Sequence, residues 1–169
     1  MSTQDSVAAM RAWAHPVRLR ILSLLTAQAM SAAEVARELD LTHANASYHL
    51  RHLCSAGLLQ VESTEKVRGG LAKRYRYLPE LEPKQPGVVS PASTFRALAD
   101  ELTRRGLQAR SGRQVVSDAE LWVQPEDWSA ASRAVYEAIN ALHRAAVPAD
   151  TPGAVRTSST VAMFEMDEQ

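Results

Sequence analysis

The chain has 169 residues, 46% of them hydrophobic and 22% charged, with nineteen Lys/Arg against nineteen Asp/Glu. That balance supports one folded domain or two small ones and excludes wholesale disorder. A single Cys excludes an internal disulfide and suits a reducing compartment, the cytoplasm; with no 18-residue apolar run and no signal-peptide pattern, neither a membrane span nor membrane association is expected.

Zero net charge conceals an asymmetry. Residues 1–80 carry ten Lys/Arg and seven Asp/Glu, a net +3, and residues 81–169 carry nine and twelve, a net −3. An anionic partner would therefore be met by the first half.

Taken in order, Ser6 to Ala14 is predicted as a helix with Val7, Met10, Trp13 and Ala14 turned inward. His15-Pro16 breaks it, and Pro16 opens a second helix through Ala27 as its first residue. Leu19, Ile21, Leu22, Leu24 and Leu25 give that helix a wide apolar stripe, and Arg18 and Arg20 read as surface or ion-paired charges. Ser31 then caps a short helix, with Glu34 placed to complete a capping box and Ala33, Val35, Ala36 and Leu39 on one face. Asp40-Leu41 leaves room only for a tight turn before Thr42, the cap of the next helix.

In that next helix, Thr42 to Ala56, Ala46, Leu50, Leu53 and Cys54 share the inner face. His43, Ala44, Asn45, Ser47, Tyr48 and Arg51 fall mostly on the others. An outer face of amides, hydroxyls, an imidazole and an Arg, without a carboxylate, is chemically suited to base edges and phosphates. Gly57 is placed to end the helix in a left-handed conformation. Two strand-like runs follow, Leu58–Glu62 and Leu71–Leu78, joined by a turn-rich tip; the second alternates Tyr75 and Tyr77 with Arg74 and Arg76. Lys66, Arg68, Lys73, Arg74 and Arg76 are the five cations between positions 66 and 76, where no acid occurs. Helix, tight turn, helix and basic hairpin make the layout of a winged helix-turn-helix, recognition helix in the major groove and wing along the backbone. Base readout is expected from His43, Asn45, Ser47 and Tyr48, and backbone anchoring from Arg51 and the five wing cations.

Ala-Trp-Ala-His-Pro-Val-Arg-Leu-Arg-Ile-Leu-Ser-Leu-Leu, Ala-Glu-Val-Ala-Arg-Glu-Leu-Asp-Leu-Thr, Ser-Tyr-His-Leu-Arg-His-Leu and Ala-Gly-Leu-Leu fall in order at the right spacing over residues 8–78. There the chain resembles the arsenical-repressor (ArsR-like) family of bacterial transcription regulators. The resemblance implies a winged-helix homodimer reading a near-palindromic site on double-stranded DNA. It implies DNA contacts from Thr42, His43, Asn45, Ser47 and Tyr48, with Arg51 near phosphate. Metal-sensing members carry a Cys-x-Cys-type pair in the helix before the recognition helix; here that helix has neither Cys nor His, so no soft-metal site is expected there. His49, His52 and Cys54 lie close in sequence, but Cys54 falls on the apolar face and His49 at a position that the family fills with a structural His, so no metal is assigned to them either.

Pro79, Pro83, Pro86 and Pro91 mark a linker, assigned to residues 81–92 between a DNA-binding domain at 1–80 and a C-terminal region at 93–169. That region is predicted as a helix over Ser93–Gly112 with Phe95, Leu98, Ala99, Leu102 and Leu107 as its stripe, a strand over Ser117–Gln124, a helix from Pro125 to Ala146, and an extended run over Val155–Met166. The expected fold is mainly α with a small β component: a winged helix-turn-helix plus a helix–strand–helix–strand extension. In the resembling family, helices flanking the winged helix make the dimer, and the first of these helices is given that role. Phe95, Trp122, Trp128 and Tyr136 are candidate lining residues for a pocket that takes a small-molecule effector, although filling the core and dimer seam is the plainer role for such aromatics.

No phosphate loop, nucleophile elbow or dinucleotide-binding glycine pattern occurs, so neither an enzyme nor a cofactor is expected. Two alternatives to a plain DNA-binding regulator stand beside it. One is a winged-helix protein-docking module without DNA binding, which the basic wing disfavours. The other is a regulator gated by a ligand that the C-terminal region senses.

Overall fold

The computed structural model describes residues 12–67, 70–77, 92–110, 112 and 114–167. Of the first predicted helix only Ala12 to Ala14 fall within it; most of the Pro-rich linker and Arg68 at the wing tip lie outside the described residues.

His15 has extended backbone and caps α1 (Pro16–Ala27), its Nδ1 accepting the Val17 N–H at 3.2 Å. Pro16 costs nothing at the first position, where an N–H would have no partner. Leu19, Ile21, Leu22 and Leu25 of α1 are buried. The two-residue strand β1 (Met30–Ser31) leads into α2 (Ala32–Leu39), which starts with a complete capping box. The Ser31 N–H and Oγ–H donate to Glu34 Oε2 at 2.7 and 2.8 Å, and the Glu34 N–H donates to Ser31 Oγ at 3.3 Å. Val35, Ala36 and Leu39 face the core, while Ala33, expected beside them, is exposed one position off that stripe.

The turn after α2 is a Schellman motif with an aspartate where glycine is usual: Asp40 has φ 53, its N–H donates to the Arg37 carbonyl at 3.5 Å, and the Leu41 N–H reaches the Ala36 carbonyl at 2.8 Å. α3 (His43–Ser55) follows. It ends the same way, Gly57 at φ 73 donating to the Cys54 carbonyl and Leu58 to that of Leu53, both at 3.0 Å. Leu53 and Leu58 are both fully buried, so the motif also carries its hydrophobic contact, with each side chain contributing about 1.5–3 kcal/mol of burial.

β2 (Leu59–Val67) and β3 (Gly70–Tyr77) form the antiparallel wing, and β3 is central in a sheet of order β1-β3-β2. The register pairs Leu59 with Tyr77 and Val61 with Tyr75, then shifts so that Ser63 pairs with Arg74, leaving Glu62 as the irregular residue. Tyr77 is buried and Tyr75 packs at the core margin, as the alternation predicts. The core thus joins α1, α2, α3 and the base of the wing, around Ile21, Leu25, Val35, Leu50 and Leu53. This is an α+β architecture with the winged helix-turn-helix layout.

The C-terminal half departs from expectation in two ways. α4 (Ala92–Gly106) and α5 (Pro125–Arg144) form, but neither Ser117–Gln124 nor Val155–Met166 is a strand. A strand needs a neighbour to take its backbone groups, and here both alternating faces stay open: Leu121, Trp122 and Val123 are all exposed. The second departure is the face that α4 buries. It packs on α1 and buries Thr94, Ala97 and Glu101, while Leu102 is 53% exposed. Glu101 is tolerated inside because Arg104 pairs with it at 2.7 Å and Arg105 at 3.5 Å.

Two side chains fasten the wing to the helices. Arg74 Nη1 donates to both Glu34 oxygens at 3.3 and 3.1 Å, Nη2 donates to the Ala29 carbonyl at 2.6 Å, and Nε lies 3.5 Å from Glu65. Arg76 Nη1 donates to the Ala27 carbonyl at 3.1 Å. Replacing Arg74 with Ala removes a charged contact and a backbone bond from a partly buried site; a loss of about 1–3 kcal/mol is expected in urea denaturation, with Arg74→Lys restoring less than half because one ammonium cannot reach Glu34 and the Ala29 carbonyl as two guanidinium nitrogens do.

Candidate nucleic-acid interface

α3 presents the candidate surface, and its inner side explains why that surface is fixed. Ala46, His49, Leu50 and Leu53 are buried, so the helix cannot roll without opening the core. Thr42 holds the N-terminus, its Oγ1 accepting the Asn45 N–H at 3.2 Å. The helix therefore offers its first turn outward, the end that meets base edges in helix-turn-helix docking.

The predicted readers fall largely together. His43 and Asn45 are exposed, Tyr48 is 57% exposed one turn on, and Ser47 sits at the margin. Arg51 is exposed below them, with Nε donating to the Ser47 carbonyl at 3.2 Å. Thr42 is exposed too, but its hydroxyl oxygen is engaged as the cap. Ala44 lies on the same open face between His43 and Asn45, and its methyl suits contact with a thymine methyl. A lone alanine carries no polar signal in the sequence; only its position on the helix marks it.

The wing cations divide. Lys66 and Lys73 are exposed on β2 and β3, and Arg68 lies outside the described residues. Arg74 and Arg76 are instead tied to Glu34 and to the backbone carbonyls of Ala29 and Ala27, so they hold the wing in place rather than stand ready for phosphate. Alternation placed them correctly on the side opposite Tyr75 and Tyr77, but it carries no information about which groups wait there. Among the described residues, then, Lys66, Lys73 and Arg51 are the cations of the set available for backbone contact.

Electrostatics around α3 follow from burial. His49 is 6% exposed, and its imidazole is held below the ordinary histidine value, first by burial and then by the nearby charges of His15, Arg18 and His52. Burial likewise pushes the Cys54 thiol up, only partly offset by Lys73, so it is not an activated nucleophile. Among the described residues no three His, Cys, Asp or Glu side chains converge as metal ligands. Glu34 is held below the usual carboxylate range, chiefly by the Ser31 backbone N–H and with a further contribution from Arg74.

The four candidate pocket residues differ in burial. Phe95 packs on Phe164, ring centroids 5.1 Å apart, Trp128 is half-buried on α5, and Tyr136 is exposed at its margin. Trp122 is 89% exposed and lines no enclosure.

A family model described as a helix-turn-helix domain matches residues 14–62, from the residue before the His15 cap to the first part of the wing. The match covers α1, α2 and α3 together, the three helices whose packing sets the outward face, and supports a DNA-binding transcription regulator. No curated protein matches the chain. No helix among the described residues is long and apolar enough to cross a membrane.

Thr42→Ala removes the cap at the outward end of α3. A stability loss of about 1 kcal/mol is expected by thermal or urea denaturation, with Thr42→Ser near the parent value, since Ser caps as well.

Proposed function

We propose that this chain is a homodimeric, sequence-specific transcription regulator of the ArsR-like type, from a branch that senses no metal at the helix preceding the recognition helix. The observation that carries the reading is the open face of α3: His43, Asn45, Tyr48 and Arg51 stand out together, without a carboxylate, on a helix locked by its buried side. That set can donate and accept in the major groove, where each base pair shows its own pattern. Asn45 suits adenine, Tyr48 and Ala44 suit a thymine methyl, and Arg51 with Lys66 and Lys73 supplies the sequence-blind attraction.

The dimer is supported by what one copy leaves open. Leu102 and Leu107 of the α4 stripe are exposed, Leu107 to 86%, beside the exposed apolar side chains of 115–123 and 155–166. Surfaces of this kind mark association in a folded protein. A dimer through them would present two recognition helices to two half-sites about one helical turn apart. No enzymatic chemistry is assigned to the chain, and any small-molecule effector would act by shifting this dimer.

The reading is tested by fluorescence anisotropy on the chain's own upstream DNA and a scrambled duplex, over a salt series. Specific binding with a steep salt slope is expected, and equal weak binding to both duplexes would count against it. Lys73→Ala is expected to weaken both complexes alike and lower the salt slope by about one, whereas Asn45→Ala should cost roughly 1–3 kcal/mol at a single base position. Leu102→Glu should convert the dimer to monomer in sedimentation equilibrium while leaving the far-UV spectrum of the winged helix intact.

A further inference from the structure

Behind the recognition helix lies a cluster of imidazoles that the reading above does not use. The His15 and His49 rings meet at 4.9 Å between centroids, and Tyr48 touches the same group edge-on, 5.4 Å from His49 and 6.4 Å from His52. His15 belongs to the start of α1 and the other three to α3, so the cluster is the joint between those helices. Tyr48 ties it to the outward face.

His15 has a specific task that depends on protonation. Its Nδ1 accepts the Val17 N–H, which requires a lone pair on that nitrogen. A proton at Nδ1 turns the acceptor into a donor and removes the cap. It also places a positive charge at the N-terminus of α1, where the helix dipole already opposes one. The charged groups facing the cluster add to the penalty: Arg18 from α1 and His52 from α3; the Tyr48 ring, also from α3, faces it as a neutral phenol. Among the described residues no carboxylate contributes to the field at either His15 or His49.

We propose that the His15–His49 pair is a proton-operated release for the recognition helix: neutral, it seats α3 against the capped start of α1, and protonated, it breaks the cap, loosens the joint and lowers DNA affinity. The consequence for DNA rests on the function proposed above, but the loosening does not. Both imidazoles are held below their ordinary value of 6.5, His15 by burial, Arg18 and His52, and His49 by burial, His15, Arg18 and His52. The sign follows from that direction. The unfolded chain takes up these protons first, so stability is complete above about 6.5 and falls as pH drops from there toward the lowered folded values. Glu34 acts in a separate window, because its depressed value makes its contribution fade only below about 4.5.

The test uses the full chain from about pH 7.5 to about pH 5.5. Histidine side-chain NMR and thermal melting are followed without DNA, and anisotropy is followed with it. Expected are His15 and His49 midpoints below 6.5, a melting temperature that starts to fall near that value, and about tenfold or greater loss of affinity over the range. His15→Asn keeps a capping group that cannot titrate, and it should flatten both the melting and the affinity profiles. His15 or His49 midpoints at or above 6.5, a flat melting profile, or tighter binding on acidification would overturn the proposal. If His15→Asn fails to fold, the parent chain's NMR midpoints and melting profile still decide it. Failure to bind DNA at any pH would sink the regulator reading and leave the DNA-free measurements to judge the joint alone.

Discussion

One carboxylate is shared between two structures that otherwise touch little. Glu34 closes the capping box that starts α2 through Oε2, and Arg74 Nη1 from β3 donates to that oxygen and to Oε1. The start of the first helix of the motif and the wing are therefore fastened through one carboxylate. The β1 strand lies there too, since Ser31 both caps α2 and pairs with Arg74 in the sheet. With the Arg76 bond to Ala27 and the buried Tyr77, this group helps set the orientation of the wing relative to the recognition helix. It also explains why the wing presents fewer free cations than its composition suggests: Arg74 and Arg76 are engaged within the protein, while Lys66 and Lys73 stay exposed.

How much of this the chain discloses before folding depends on the range of the interactions involved. The helix-turn-helix was readable because its signals are local: Ser31 with Glu34, Thr42 before α3, Gly57 after it, and apolar residues at helical spacing. The candidate site followed, because once the buried side of α3 is known the open side is fixed by geometry. The roles of Arg74 and Arg76 were not readable, since their partners lie forty or more positions away. Nor was the buried face of α4. Amphipathic spacing pointed to Leu98, which is half-buried, and to Leu102, which is exposed; the fully buried positions are Thr94, Ala97 and Glu101, the last neutralised by Arg104 and Arg105. Local pattern ranks faces by hydrophobicity and is blind to a carboxylate that two arginines make cheap to bury.

The same limit governs the C-terminal extension. Alternation over 117–124 and 155–166 is a strand pattern, yet alternation states only that a strand would have two unlike faces. It does not provide the neighbouring backbone. In one copy those segments run without a ladder while large apolar side chains stay in water, and the helices that could cover them, α4 and α5, turn partly apolar sides outward as well. The winged helix, by contrast, closes its own core. The two halves thus differ in self-sufficiency as sharply as in charge.

The left-handed residue between α2 and α3 has a mechanical meaning. Asp40 occupies a conformation that costs an ordinary L-residue roughly 1–2 kcal/mol, and two reverse hydrogen bonds hold it there. The turn is thus tied back to α2 by its own backbone, and α2 and α3 also share the core through Val35, Leu39, Leu50 and Leu53. A change in the aim of α3 would therefore carry α2 with it, the pair turning like a bent lever about its seat on α1.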